Sequence, residues 1–345
     1  MKQLVIFIFC ALLAAATLWA DGNKLGASFY CARGVLKVGK GDMDGAIADF
    51  NKAIELDPRF AQAYSNRGVL KEHKGDIEGA MSDHNKAIEL DPRYAEAYSN
   101  RGVLKEQKGD LEGAMADHNK AIELDSQDPK AYSNRGSTKA AKKDLDGAIA
   151  DYTKAIERKP DYAVAYYNRG LAKSYKGDWD EAIPDFNKAI ELDPQNGKVY
   201  HARGGAHYGK GDYYKAIADY NHAIELNPKD ASAYSNRALV NDECHDPNGA
   251  IADCSKAIEL DPQDAGPYLT RGNVKSKIGD TDGAIADYNK AIELDPKFAK
   301  AYNSRGVIAK NKGKADEAIA DYTKAIELDP KYACLLYTSP SPRDS

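Results

Sequence analysis

The chain has 345 residues, with 48 Lys and Arg against 53 Asp and Glu, a net charge of −5 and 43% apolar residues. That apolar fraction with balanced charge excludes a disordered chain, the acidic balance disfavours a nucleic-acid binder, which needs a basic surface to neutralise phosphates, and five Cys exclude a disulfide scaffold. The composition is skewed to 22 Tyr against 7 Phe and 2 Trp, beside 28 Gly, which points to one short unit copied many times.

In chain order, an apolar run from Leu4 to Leu18 follows Lys2, and after Trp19 the small residue Ala20 precedes the polar Asp21. A basic start, an apolar centre and a small-residue exit read as a secretory signal peptide over residues 1–20, cleaved after Ala20. An uncleaved anchor helix is the alternative, but the run is too short to span a bilayer comfortably. Phe9 before Cys10 is too large for a lipoprotein signal. The expected location is therefore secreted or periplasmic, with no stable membrane span after cleavage. Residues 21–26 form a short lead.

From Tyr30, steps of 34 residues land on Tyr64, Tyr98, Tyr132, Tyr166, Tyr200, Tyr234, Tyr268 and Tyr302. The unit repeats nine times without insertion or deletion, as 27–60, 61–94, 95–128, 129–162, 163–196, 197–230, 231–264, 265–298 and 299–332. Counting positions 1 to 34 within a unit, position 8 is Gly except for Ala238, positions 20 and 27 are always Ala, and position 32 is Pro except for Ser126. In the eighth unit Ala284, Ile285, Tyr288, Ala291 and Ile292 make one apolar helix face. Asp280 is placed to cap that helix, with Lys314 replacing the capping Asp in the ninth unit. Gly279 suits a tight inter-helix turn, and Pro296 ends the second helix. Each unit is a pair of short helices that cannot bury enough surface alone, so neighbours must stack.

The 34-residue period, with its aromatics at positions 4 and 24, Gly at 8, Ala at 20 and 27 and Pro at 32, resembles the tetratricopeptide repeat family over about nine tenths of the chain. The resemblance implies an all-α, right-handed superhelical solenoid of nine helix–turn–helix repeats, with a concave groove that binds protein or peptide ligands. It also implies that positions 2, 5, 6, 9, 12 and 13 of each first helix face the groove. Position 6 is Asn at Asn66, Asn100, Asn134, Asn168 and Asn236. An Asn amide offers a donor and an acceptor and so matches a peptide unit. This row is similar to the asparagine ladder of O-linked N-acetylglucosamine transferases; the alternative is that these Asn space neighbouring helices. The carboxylate clamp of chaperone-binding relatives needs Lys at position 5, which no unit has, so chaperone binding of that kind is not expected. The remaining groove positions are mixed in character, among them Glu72, Glu106, Tyr175, Tyr208, Lys277 and Lys310.

Two departures recur in every unit. Position 7 is always Arg, from Arg33 to Arg305, and position 23 is always Asp, from Asp49 to Asp321. The matched counts predict an internal ladder of ion pairs; the alternative is that both series face water. Three departures are local. Pro184 falls inside a second helix and is expected to bend it. Pro247 falls at a first helical position, where it is tolerated. Cys254 replaces the aromatic at position 24, which predicts the loosest packing in the seventh unit. A bridge between Cys244 and Cys254 is left open.

No catalytic constellation is present. His84 and His118 sit at position 24 and read as core residues rather than metal ligands, and the Asp144-to-Gly147 run brings its Gly too early for a calcium loop. No phosphate-binding loop, nucleophile elbow or zinc-protease helix occurs, so neither an enzyme nor a cofactor is expected. The second and third units agree at 27 of 34 positions, which suits a multivalent surface rather than a unique active site. The leading reading is an exported scaffold for protein or peptide binding. One alternative is the substrate-recruiting part of a larger enzyme, such as a glycosyltransferase. Another is a structural protein that self-associates through its ends. From Cys334 the chain reads CLLYTSPSPRDS, which resembles the conceptual translation of a sequencing adapter. Residues 333–345 are thus read as the start of a tenth unit followed by a non-native tail.

Overall fold

A computed structural model describes residues 22–331; the expected signal peptide at 1–20 and the tail from 334 lie outside the described residues. Among the described residues every regular element is a helix, apart from a single turn at the end, and there is no strand. The chain divides within one helix, between Ala172 and Lys173, into two compact units. The first contains α1 (22–39), α2 (Met43–Leu56), α3 (Ala61–His73), α4 (Ile77–Leu90), α5 (Ala95–Gln107), α6 (Leu111–Leu124), α7 (Pro129–Ala141), α8 (Leu145–Arg158) and most of α9 (Ala163–Lys176). The second contains the end of α9 and α10 (Trp179–Leu192), α11 (Gly197–Lys210), α12 (Tyr213–Leu226), α13 (Ala231–Glu243), α14 (Pro247–Leu260), α15 (Ala265–Lys277), α16 (Thr281–Leu294), α17 (Ala299–Asn311) and α18 (Ala315–Leu328). The helices fall in the nine pairs that the period predicts.

The turn between the two helices of a repeat needs a left-handed residue at position 15. Gly fills it in seven repeats, with φ from 72° at Gly313 to 90° at Gly279, while Lys143 and His245 adopt φ of 66° and 60°. The next residue caps the second helix. Asp42, Asp76, Asp110, Asp144, Asp246 and Asp280 each accept a hydrogen bond from the backbone N–H of a Gly at position 19, at 2.8–3.0 Å. The Gly is what allows the cap, since a Cβ on Gly113 would lie 2.1 Å from an Asp110 carboxylate oxygen. Glu181, Lys215 and Glu317 stand at that position in repeats five, six and nine, and there Asp178, Asp212 and Lys314 make no side-chain cap bond. The helix of repeat five runs on through Pro184 without interruption.

Small residues bring the paired helices together. The Ala at positions 20 and 27 are buried throughout. The Gly at position 8 faces the ring at position 24: a Cβ on Gly102 would lie 2.5 Å from the His118 ring, and one on Gly272 2.6 Å from Tyr288. In the seventh repeat both partners differ. Ala238 and Cys254 are each 0% exposed, at the two positions that approach one another where position 8 is Gly. Cys244 and Cys254 are free thiols.

The Arg and Asp series do meet, and they meet within a repeat. In repeats one to four and six to nine, Arg Nε donates to Asp Oδ2 at 2.8–3.0 Å and Nη2 donates to Oδ1 at 2.5–2.7 Å. The Asp are 3–7% exposed in all nine repeats, which disposes of the water-facing alternative. The third guanidinium nitrogen, Nη1, reaches back to the preceding repeat and donates to the side chain at position 25. Examples are Arg67 on Asn51 at 2.7 Å, Arg169 on Thr153 at 3.1 Å and Arg271 on Ser255 at 3.0 Å. The guanidinium also stacks over the Tyr at position 4, 4.8–5.7 Å from the ring centroid. In six repeats the Lys at position 11 joins the same carboxylate at 2.8–3.0 Å.

At Asp117 burial pushes the carboxyl up, and Arg101 with Lys105 more than offsets it, holding it below the usual range. Asp117→Asn leaves Arg101 without its bidentate partner and is expected to cost about 3 kcal/mol. The double variant Arg101→Met/Asp117→Leu, which removes both charges, is expected to lose less than the single. Thermal melts of the three proteins measure the order.

Candidate functional site

The exposed face of the first helices is the natural place to look for a site, because the second helices and the junctions use their polar groups on one another. Asn66, Asn100, Asn134 and Asn168 fall in the first compact unit and Asn236 in the second, all half-buried. Three of the amide nitrogens turn toward the preceding repeat rather than outward. Asn66 Nδ2 donates to Cys31 Sγ at 3.5 Å, Asn134 Nδ2 to Ser99 Oγ at 3.1 Å, and Asn236 Nδ2 lies 2.8 Å from His201 Nε2. Asn100 Nδ2 is buried without a partner. At three of the five positions the donor half of the amide is therefore used in spacing neighbouring repeats, and the group left for a ligand there is the Oδ1 acceptor.

Two hollows open on this face, one in each unit. That of the first unit, about 350 Å³, is lined by Val103, Glu106, Gln107, Asn134 and Ser137. That of the second, about 280 Å³, is lined by Asp242, Asn273, Ser276, Lys277, Tyr288, Asn303, Ser304 and Val307. Apart from Tyr288, both sets come from positions 5, 6, 9, 12 and 13 of successive first helices. Side-chain bonds brace the walls: Thr138 Oγ1 donates to Glu106 Oε2 at 2.5 Å, Gln107 Nε2 to Glu72 Oε1 at 2.8 Å, and Lys277 Nζ to Asp242 Oδ2 at 2.7 Å. Of the residues singled out from the sequence, Asn134, Glu106 and Lys277 line these two hollows, whereas Asn66, Asn100, Asn168 and Asn236 line neither of the two. The polar residues Gln107, Ser137, Asn273 and Ser304 were missed. They occupy groove positions, but none belongs to a repeated row or carries a charge or ring that sets it apart in the sequence.

Behind this face lie two buried imidazoles. His84 and His118 are 0% exposed; Ser65 Oγ is 3.5 Å from His84 Nδ1, while His84 Nε2 and both nitrogens of His118 have no partner. Burial lowers each to about 4 from an ordinary value near 6.5, so both are neutral at pH 7. Among the described residues no group of His, Cys, Asp and Glu is arranged to hold a metal ion, and no helix is long and apolar enough to cross a membrane.

A model described as tetratricopeptide repeat matches residues 163–196 and 299–332, and one described as TPR repeat matches 34–72, 73–109, 104–142, 136–174, 206–242 and 277–313. The chain belongs to the tetratricopeptide repeat (TPR) family. Solved structures agree in fold. Cut9–Hcn1, from an APC/C hetero-tetramer, matches with TM-score 0.60 at 15% identity over 91% of this chain and 76% of that one. The pilF protein of Pseudomonas aeruginosa matches with TM-score 0.56 at 20% identity over 63% of this chain and 97% of that one. A TPR protein from Parabacteroides merdae matches with TM-score 0.55 at 21% identity over 75% and 98%. At these identities the likeness is one of fold alone. No curated protein matches the TPR chain.

The imidazoles make the TPR array acid-labile in a defined window. As pH falls below about 6.5 the unfolded chain takes up a proton at each His, while the folded chain does so only near pH 4. Stability therefore falls across that interval, by about 3 kcal/mol per buried His at its lower end. The carboxylates act lower: the Arg33 hydrogen bonds hold Asp49 at about 2, so that contribution is lost only below about pH 4. His84→Phe/His118→Phe, which installs the residue of repeats one and five, is expected to flatten the loss between pH 6.5 and 4 in thermal melts and to leave the lower limb in place.

Proposed function

We propose that this TPR chain is an exported, non-catalytic scaffold that holds segments of partner proteins in extended form along its first-helix face. The observation that carries the reading is the pair of hollows built from the same repeat positions in both units, each combining an exposed or half-buried Val with hydrogen-bonding side chains. An extended peptide offers alternating side chains and backbone N–H groups, which suits apolar Val103 and Val307 beside acceptors such as Asn134 Oδ1. Each such hydrogen bond is worth only about 0.5–1.5 kcal/mol net, so useful affinity comes from several rungs acting together. Export rests on residues 1–20.

The test begins with peptide-array selection of a binding segment. Val103→Arg, which fills the hollow without touching a repeat junction, should weaken that segment at least about tenfold, a typical loss for blocking a buried contact. Replacing Asn66, Asn100, Asn134 and Asn168 together by Ala should weaken it by a comparable factor. Unchanged affinity in both variants, with their melting curves intact, sinks the binding role. N-terminal sequencing of protein recovered outside the cytoplasm checks export, with Asp21 expected as the first residue.

A further inference from the structure

The Asn row does not meet the same residue at every junction, because position 5 of the preceding repeat varies. Asn66 meets Cys31, Asn134 meets Ser99 and Asn236 meets His201. Of these three partners, a hydroxyl does not titrate, and burial pushes the Cys31 thiol up. Imidazole is the side-chain type that changes charge between about pH 5 and 8. His stands at position 5 in the sixth repeat alone. His201, on α11, lies in the second compact unit together with the groups that hold it. Asp230, in the turn between α12 and α13, has Oδ2 3.3 Å from His201 Nδ1. Asn236 Nδ2, on α13, lies 2.8 Å from His201 Nε2. The Tyr220 ring, on α12, crosses the imidazole at 83° with centroids 5.5 Å apart. The ladder charges of the two first helices, Arg203 and Arg237, are held by Asp219 and Asp253, and Asn187 on α10 takes Arg203 Nη1.

Asp230 is fixed by a second task. Its Oδ1 caps α13, accepting from the backbone N–H groups of Ser232 and Ala233 at 3.1 and 3.2 Å. Burial pushes its carboxyl up, and hydrogen bonds from Ser232 and His201 more than offset this, so it stays anionic above pH 5. One neutral tautomer of His201 then satisfies both contacts. Ionised Asp230 only accepts, so Nδ1 carries the hydrogen; Nε2 is left as a lone pair and takes a hydrogen from Asn236 Nδ2. The free end of the amide is Oδ1. Protonation at Nε2 removes the lone pair and sets N–H against N–H. Asp230 still takes Nδ1–H, so the imidazolium keeps its seat. The bond at Nε2 is recovered by a half-turn of the amide, which brings Oδ1 inward and leaves Nδ2 as the free end.

We propose that the charge on His201 sets which end of the Asn236 amide faces a bound segment: an acceptor when the ring is neutral, a donor when it is protonated. The inference deepens the peptide-holding reading and rests on it, because the rung matters only where a segment lies along the first-helix face. A segment bound while His201 is neutral places a backbone N–H on Oδ1. Protonation puts Nδ2 there instead, and two donors oppose one another. One hydrogen bond is at stake, so acidification loosens the segment by degrees rather than releasing it. A junction with Ser at position 5 has no such response, which confines the effect to the junction of repeats six and seven.

Side-chain NMR of the full chain tests the proton arrangement without a ligand. Between pH 8 and 5, where His84 and His118 stay neutral in the folded chain, His201 should start with its hydrogen on Nδ1. The Asn236 amide signals should then move with the same midpoint as the His201 ring. His201→Ser gives this junction the residue type of Ser99, which accepts from Asn134 without titrating; there the movement should vanish. Amide signals that ignore the His201 titration overturn the proposal, and so do signals that move equally in His201→Ser. The binding arm uses peptide-array segments that Asn236→Ala weakens at pH 8. Their affinity should fall about two- to tenfold by pH 5.5, the worth of one hydrogen bond, and by less in His201→Ser. An equal fall in both proteins, or no segment sensitive to Asn236→Ala, overturns the regulation and leaves the scaffold reading standing. A chain that selects no segment at all sinks the scaffold reading and this one with it, so the two failures are told apart.

Discussion

One guanidinium per repeat holds both the repeat and its junction. Two of its nitrogens take the Asp sixteen residues ahead, the third takes the side chain sixteen residues behind, and its face lies on the Tyr three residues before it. The planar fork of Arg is what permits this, because three directed donors leave a rigid centre in fixed directions. A Lys would supply one point charge and lose two of the three directions. The buried Asp is costly without its partner and modest in value with it, so the clamp acts as a register device: it favours the one stacking in which every carboxylate is met. The apolar contacts between Ala-lined helices supply attraction without direction, and the clamp supplies the direction.

How much of this was legible follows from where the information lies. The period, the paired helices and the turn Gly were readable because each is a local property of a short segment. The Arg–Asp pairing was readable as matched counts, but not the third donor, because position 25 varies among Asn, Ser and Thr and only its proximity in space gives it a role. The Gly at position 19 carries no local signal of its function, which is to leave room for the capping carboxylate. Ala238 and Cys254 read as two separate departures in one repeat, and the sequence does not say that both are fully buried. The Asn row was legible as a row, but the direction in which Nδ2 points depends on the residue at position 5 of the preceding repeat, which is Cys, Ser or His.

This division of labour bears on the first-helix face. Positions 7, 20, 23 and 27 are committed to packing and register and do not change along the chain, and position 8 changes once. Positions 9, 12 and 13 carry no such duty, and they range from Val and Gly to Glu, Lys and Tyr. A scaffold held by the first set can alter the second without loss of stacking. The hollows of the two units therefore share a construction while differing in charge: the first is walled by Glu106, the second by a Lys277–Asp242 pair.

The missing caps in repeats five and six concentrate a weakness. Two successive second helices begin without a side-chain acceptor for their first amides, and one of them also gives up a backbone hydrogen bond at Pro184. In an array where each repeat is supported mainly by its neighbours, transient fraying starts where a helix start is least satisfied. Proteases and exchanging deuterons would find their entry there, at Asp178 to Pro184 and Asp212 to Lys215, while the capped second helices of repeats one to four stay closed.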